Sequence, residues 1–363
     1  MDAGNSRDQK DHTVAHIDPL RQRIWDHVSH SPLHSLWDFQ GVPPMVVWKR
    51  TFTSFMNDNL LSRAAELGYY FLFALVPTLV SASAILGLVV RNTTQIYVKL
   101  LDYLALVIPP SAFNMVLEIF NKTAAASSGG KITLGLAAAI WSASVGFSAI
   151  QDTLNTVYKV KETRPYWKAR LSAIFVTLLL SLVITLTLAC LLLGDFLAHL
   201  AKHEIYQPAL QLTAVYTART LSWLVTAAFL MLLFATIYYF APDVKNKRWH
   251  WLTPGAAIGI AGWLFASVAL RVYLHFFDNY SVTYGSLGAV IILLTWFYIT
   301  GLMILTGAEI NSEIAASVAE KRLKESGAIP EDATTDPDHP IDCKVDPEHC
   351  VQKDPQPPRA ISA

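Results

Sequence analysis

Six apolar stretches, each nearly free of charge and long enough to cross a bilayer, constrain this chain more than any other feature. They run over Leu67–Val90, Ile132–Gln151, Leu171–Gly194, Thr220–Pro242, Trp249–Leu270 and Asn279–Ala308. A helix needs about 20 mostly apolar residues to cross ~30 Å of hydrocarbon, and each run reaches that length. In lipid the backbone must satisfy its own polar groups, which favours helices. The expected fold class is therefore all-α: a polytopic membrane helix bundle with six transmembrane helices plus interfacial or re-entrant helices. A hydrophobic fraction of 53% and a charged fraction of only 15% suit a chain that mostly faces lipid.

Basic residues at the run ends orient the bundle. Lys49, Arg50 and Arg63 precede the first run, and Lys159, Lys161, Arg164, Lys168 and Arg170 lie between the second and third. Lys245, Lys247 and Arg248 separate the fourth and fifth, and Lys321, Arg322 and Lys324 follow the sixth. With six spans all four segments share one side, and the alternate loops are poorer in Lys and Arg. By the positive-inside rule both termini are cytoplasmic. No cleavable signal precedes the first run, which is expected to direct insertion itself. The 28 basic residues balance 28 acidic ones, so no net field recruits a nucleic acid.

Three regions follow. Residues 1–44 form a polar cytoplasmic N-terminal tail in which Pro19, Pro32, Pro43 and Pro44 interrupt helices. Residues 45–320 are the membrane domain, and residues 321–363 a cytoplasmic tail whose Pro-, Asp- and Glu-rich composition predicts disorder. From Met45 to Glu66, apolar Val47, Phe55, Leu60 and Leu61 alternate with polar residues, as in an amphipathic helix lying at the interface. Pro77 sits mid-span in the first run and predicts a kink near Phe73, a mechanical element. The stretch Tyr103–Leu117 is short and split by Pro109 and Pro110, which suits a re-entrant or interfacial pair better than a seventh span. The second run is rich in Gly, Ala and Ser, which lets backbones approach closely. In the fifth, Gly255 and Gly259 form a GxxxG whose face packs within the monomer or joins two copies as a homo-oligomer.

Ionisable residues cluster at run ends rather than midpoints: Glu66, Asp152, Asp195, Asp243, Asp278 and Glu309. Interfacial charges that merely mark span ends explain this pattern, and so does a polar cavity near headgroup depth. Two stripes are the candidates for lining such a cavity. Trp141, Ser144, Ser148, Gln151, Asp152 and Asn155 recur at helical spacing, and Asp278, Asn279, Tyr280, Ser281, Thr283, Tyr284 and Ser286 gather at the mouth of the sixth run. Of these, Gln151, Asp152, Asn155, Asp278, Asn279, Tyr280 and Tyr284 are the residues expected to meet a substrate. Interhelical hydrogen bonding accounts for both stripes equally well.

Phosphate-loop, zinc-protease, nucleophile-elbow and dinucleotide fingerprints are missing, so neither an enzyme nor a bound cofactor is expected. His339, Cys343, His349 and Cys350 have metal-ligand chemistry but no paired spacing, and no metal site is assigned to them.

The passages "AAELGYYFLFALVPTLV", "IWSASVGFSAIQDTLNTVYKVKETRPYWKARL" and "YSVTYGSLGAVIILLTWFYITGLMILTGAEINSEI" resemble the YihY/BrkB family of bacterial inner-membrane proteins over about residues 45–320. The resemblance implies six spans, cytoplasmic termini and the bacterial inner membrane, with a connection to envelope integrity and virulence. Ribonuclease BN, a tRNA-processing enzyme, is an older label for such proteins. A nuclease needs carboxylates or metal ligands beside a basic groove, and the motifs do not supply them. The leading expectation is a protein that moves or accommodates a lipid-like envelope molecule, with membrane lipids as its partners. The alternatives are a non-transporting envelope scaffold and the ribonuclease.

Overall fold

The computed structural model describes residues 19–30, 36–37, 41–90, 129–204, 207–245, 248–276 and 286–331, with single positions between 102 and 118. Among these residues every regular element is a helix: α1 (Pro19–His30), α2 (Pro44–Asn57), α3 (Leu60–Val90), α4 (Gly129–Val157), α5 (Tyr166–Glu204), α6 (Pro208–Phe240), α7 (Pro254–Phe276) and α8 (Ser286–Glu325). Four of the eight begin with proline, where the missing N–H costs no hydrogen bond and the fixed φ suits the first turn. That position explains why residues 19–30, expected to be part of an irregular tail, are helical: Pro19 and Pro44 open helices instead of breaking them. Pro77 lies inside α3, which continues through it as helix.

Over their described residues, Tyr166–Lys202, Pro208–Phe240, Pro254–Phe276 and Leu287–Glu325 are long and apolar enough to cross a membrane. The first two apolar runs fall within α3 and α4, which are 31 and 29 residues long. Most of the predicted re-entrant stretch lies outside the described residues.

α8 is the hub, packing on α1, α2, α3, α4 and α7, while α3–α4 and α5–α6 make the broadest pairings. The main core joins Leu60, Leu67, Leu154, Val157, Val176 and Leu305, all fully buried. Small residues set the closest approaches. A Cβ on Gly68 of α3 would stand 3.1 Å from the Tyr298 backbone of α8. Gly255 and Gly259 of α7 are buried against α8 of the same chain, facing Gly307 and Met303. The perimeter is apolar: Leu171, Phe175, Phe196, Trp223, Phe265 and Val268 are exposed, as lipid-facing side chains must be.

α2 reverses the soluble pattern. Its buried residues are Val47, Arg50, Thr51 and Ser54, while Met45, Trp48, Phe52 and Met56 point outward. The interfacial helix predicted over Met45–Glu66 therefore ends at Asn57. Asp58 and Asn59 turn the chain, Asn59 taking the left-handed φ of 52° that asparagine tolerates, and α3 follows. α1 covers the last part of α8, with Ile24, Trp25 and Val28 packed on Ala316, Ala319 and Ile329.

Candidate functional site at the polar end of the bundle

The last apolar run ends at Ala308, but α8 continues for 17 residues more, to Glu325. Along that extension Glu309, Asn311, Ser312, Glu313, Ser317 and Glu320 are each at most 5% exposed. Burying such groups is costly unless they find partners, and all of them but Glu309 hydrogen-bond to a neighbouring helix.

Facing α2, Ser54 Oγ donates to Glu313 Oε1 at 2.7 Å, and Arg50 Nη1 donates to Glu320 Oε2 at 2.7 Å. Lys324 adds a bond to Glu320 Oε1 at 3.0 Å from one turn further along α8. Facing α4, Ser312 Oγ donates to the Val157 carbonyl at 2.8 Å, capping that helix's last turn. Facing α7, the Asn311 side chain bridges both ways. Its Nδ2 donates to Thr253 Oγ1 and its Oδ1 accepts from the Gly255 N–H, both at 2.9 Å. Thr253 Oγ1 in turn accepts from the Ala256 N–H at 3.0 Å, an N-cap bond. Two of the orphan donors at the start of α7 are thus satisfied by Thr253 and Asn311 together. Tyr238 of α6 donates to the Ile304 carbonyl at 2.9 Å and ties the fourth wall to α8.

Between α1, α6, α7 and α8 this end opens into a cleft of about 110 Å³. Val28, Leu36, Val244 and Ala315 form its apolar wall, and Tyr158, Tyr238, Thr253 and Asn311 bring hydroxyl and amide groups. Arg248 and His250 line it from the α6–α7 connection. Burial, and then the nearby Glu309 carboxylate, push the Tyr158 phenol above its ordinary range, so it stays a neutral hydroxyl. Apolar walls, neutral donors and a guanidinium suit one end of an amphiphile with an anionic head.

A second polar cluster clamps the α4–α5 connection. Asn155 Nδ2 donates to Glu162 Oε2 at 2.8 Å, while its Oδ1 accepts from the Asp243 N–H at 2.7 Å. Asp243 Oδ2 takes bonds from Thr163 N and Oγ1 at 2.8 and 2.6 Å. Arg164 grips Glu162 through Nε and Nη2, both at 2.6 Å, and these bonds hold the Glu162 carboxyl below its ordinary range. Lys159, in a left-handed conformation, pairs with Asp58 across to the α2–α3 turn.

The predicted stripe on α4 is divided by this arrangement. Asn155 is buried in the clamp and Gln151 is buried beside Ser172, its Nε2 3.5 Å from that hydroxyl. Asp152 is exposed, and neither it nor its two neighbours line the cleft. Asp278, Asn279, Tyr280 and Tyr284 lie outside the described residues, as do His339, Cys343, His349 and Cys350. What the sequence reading missed was the polar face of α8. Its signal is legible in "AEINSEIAASVAE", where Glu309, Glu313 and Ser317 recur every four residues in an alanine-rich helix.

A model of the family described as virulence factor BrkB matches residues 51–330. The chain belongs to that family. Its matched segment starts within α2 and ends just beyond α8, so it takes in the polar extension, the clamp and most of the cleft. The ribonuclease-like protein YfkH of Bacillus subtilis (strain 168) is 33% identical over 264 residues, covering 73% of this chain and 93% of the relative. A UPF0761 membrane protein of Xanthomonas oryzae pv. oryzae (strain PXO99A) is 28% identical over 272 residues, 74% of this chain. UPF0761 membrane protein XCC0860 of Xanthomonas campestris pv. campestris is 27% identical over the same length. The match spans 60% of each Xanthomonas relative. No solved structure matches. This is a membrane-protein family, and the chain is a membrane protein.

Proposed function

We propose that this protein spans the bacterial inner membrane six times, with both termini cytoplasmic, and that it binds an anionic lipid-like envelope molecule. In this reading α3 and α4 join the four most apolar helices as spans, and the polar end is the cytoplasmic face. The basic residues Arg50, Lys159, Arg164, Arg248 and Lys324 all belong to that end, as the positive-inside rule requires. The observation that carries the reading is the lining of the cleft, where apolar walls meet Tyr158, Asn311, Thr253, Arg248 and His250. Such a lining suits a headgroup with the start of its hydrophobic chain. α2 supports it from the side: an outward row of Trp48, Phe52 and Met56 next to Lys49 suits the headgroup layer of an anionic leaflet. The activity is moving or accommodating the molecule, without a covalent step.

The test is lipid analysis of protein purified in mild detergent. Anionic lipid should co-purify with the wild type and fall several-fold in an Arg248→Ala, His250→Ala variant of unchanged thermal stability. Equal lipid in both refutes the cleft as its site. Flux of a labelled anionic lipid in proteoliposomes then separates transport from a scaffold role, with no flux above protein-free vesicles ruling out transport.

A further inference from the structure

Glu309 stands one residue beyond the last apolar run and is 0% exposed, with neither carboxylate oxygen hydrogen-bonded among the described residues. One turn along the same face, Glu313 is also buried. Its Oε1 accepts from Ser54, while Oε2 has no such partner. The charged groups facing this pair are Asp58 from the α2–α3 turn, Lys159 from the α4–α5 connection and Arg50 from α2. Lys159 is paired with Asp58, and Arg50 and Lys324 with Glu320, so no cation is committed to Glu309. Tyr158 lines the cleft, and Glu309 is near enough to act electrostatically on its hydroxyl.

A buried carboxylate without a partner does not stay ionised; it takes a proton or a cation. A hard cation needs a shell of several oxygen ligands. Among the described residues no three His, Cys, Asp or Glu side chains are grouped to supply the charged part of such a shell. A proton needs a single oxygen.

We propose that Glu309 is a proton-binding site, protonated at neutral pH and exchanging its proton with water in the cleft. Only an O–H bond forms and breaks; the proton comes from and returns to that water. The proposal does not rest on the lipid reading, because protonation is read from the carboxyl group itself.

The experiment uses the full chain in lipid nanodiscs and the infrared C=O stretch of protonated carboxylic acids. At neutral pH the wild type should show such a band, shifting in D2O, lost in Glu309→Gln and retained in Glu313→Gln. An unchanged band in Glu309→Gln overturns the proposal. Glutamine mimics the neutral acid, so that variant should melt no lower than the wild type. If it fails to fold, dicyclohexylcarbodiimide, which attacks protonated buried carboxyls, serves on the wild type. Mass spectrometry should place the label on Glu309, with less of it at alkaline pH. Absence of label there, or protection by sodium chloride but not choline chloride, overturns the proposal, the latter in favour of a cation.

Discussion

Replacing Gly255 by alanine tests how the cleft is held together. A Cβ at Gly255 would collide with the Gly307 carbonyl oxygen and stand 2.6 Å from Asn311 Oδ1, where ordinary contact begins at 3.4 Å. Backbone carbonyls cannot swing aside, so α7 and α8 must part by more than about an ångström. Overpacking of this kind costs about 1–3 kcal/mol. The separation also weakens the bond from Gly255 N to Asn311, a net ~0.5–1.5 kcal/mol. Alanine's better helix propensity returns at most ~1 kcal/mol. The expected net loss is about 1–4 kcal/mol, or a fall in Tm on the order of 2–6 °C. Gly262→Ala is the control, because its Cβ meets only Met303 Sδ, at 2.7 Å, and a thioether can move. It should cost less than about 1 kcal/mol. Thermal unfolding of both variants in one detergent, followed by tryptophan fluorescence, decides the matter. Indistinguishable Tm values for Gly255→Ala and wild type would refute the argument that this crossing is sterically closed.

Arg50→Ala removes a charged partner from the buried Glu320 and should destabilise the fold by about 1–3 kcal/mol, while adding Glu320→Met should recover much of that loss. Chemical denaturation of the single and double variants measures the recovery. Asn155→Ala removes two bonds from the clamp and should cost about 1–3 kcal/mol, seen as faster hydrogen exchange at the Thr163 amide. The clamp is also acid-sensitive. The Glu162 carboxyl is depressed in the folded state, so its stabilisation is complete above its unfolded pKa near ~4.3 and is lost as pH falls through the lower folded value. Exchange protection at Thr163, corrected for intrinsic rates, should therefore hold at neutral pH and drop in that acid window; protection that drops at neutral pH would contradict it. In liposomes, Trp48 fluorescence should be quenched by lipid probes at headgroup depth and spared by probes at the bilayer centre, as the outward face of α2 requires.

Helix placement was legible because lipid imposes a simple rule, that runs of about 20 apolar residues become helices. The runs from Ile132, Leu171, Thr220 and Trp249 all fall largely within α4 to α7. The candidate site was less legible. Asp152 and Asn155 are neighbours on one predicted stripe, yet Asn155 is locked between Glu162 and Asp243 while Asp152 is exposed. Three residues along a helix turn the chain through nearly a full circle, and the stripe was broad enough to wrap two environments. The ends of the apolar runs likewise suggested that ionisable groups sit at the headgroups. Glu309 and Glu313 do follow the last run, but α8 carries them into a protein interior rather than into water.

By itself the sequence determined the solvent and the helical class, because these depend on composition and short-range periodicity. Only the tertiary structure decided which polar side chains share an environment. It brought α1 and α2 back over the end of α8, turning "AEINSEIAASVAE" from an exposed helical extension into a buried seam. The partners that satisfy this seam, Arg50, Ser54, Val157 and Thr253, lie far from it in the chain. Long-range burial sets the cost of each charge, and no local pattern encodes it.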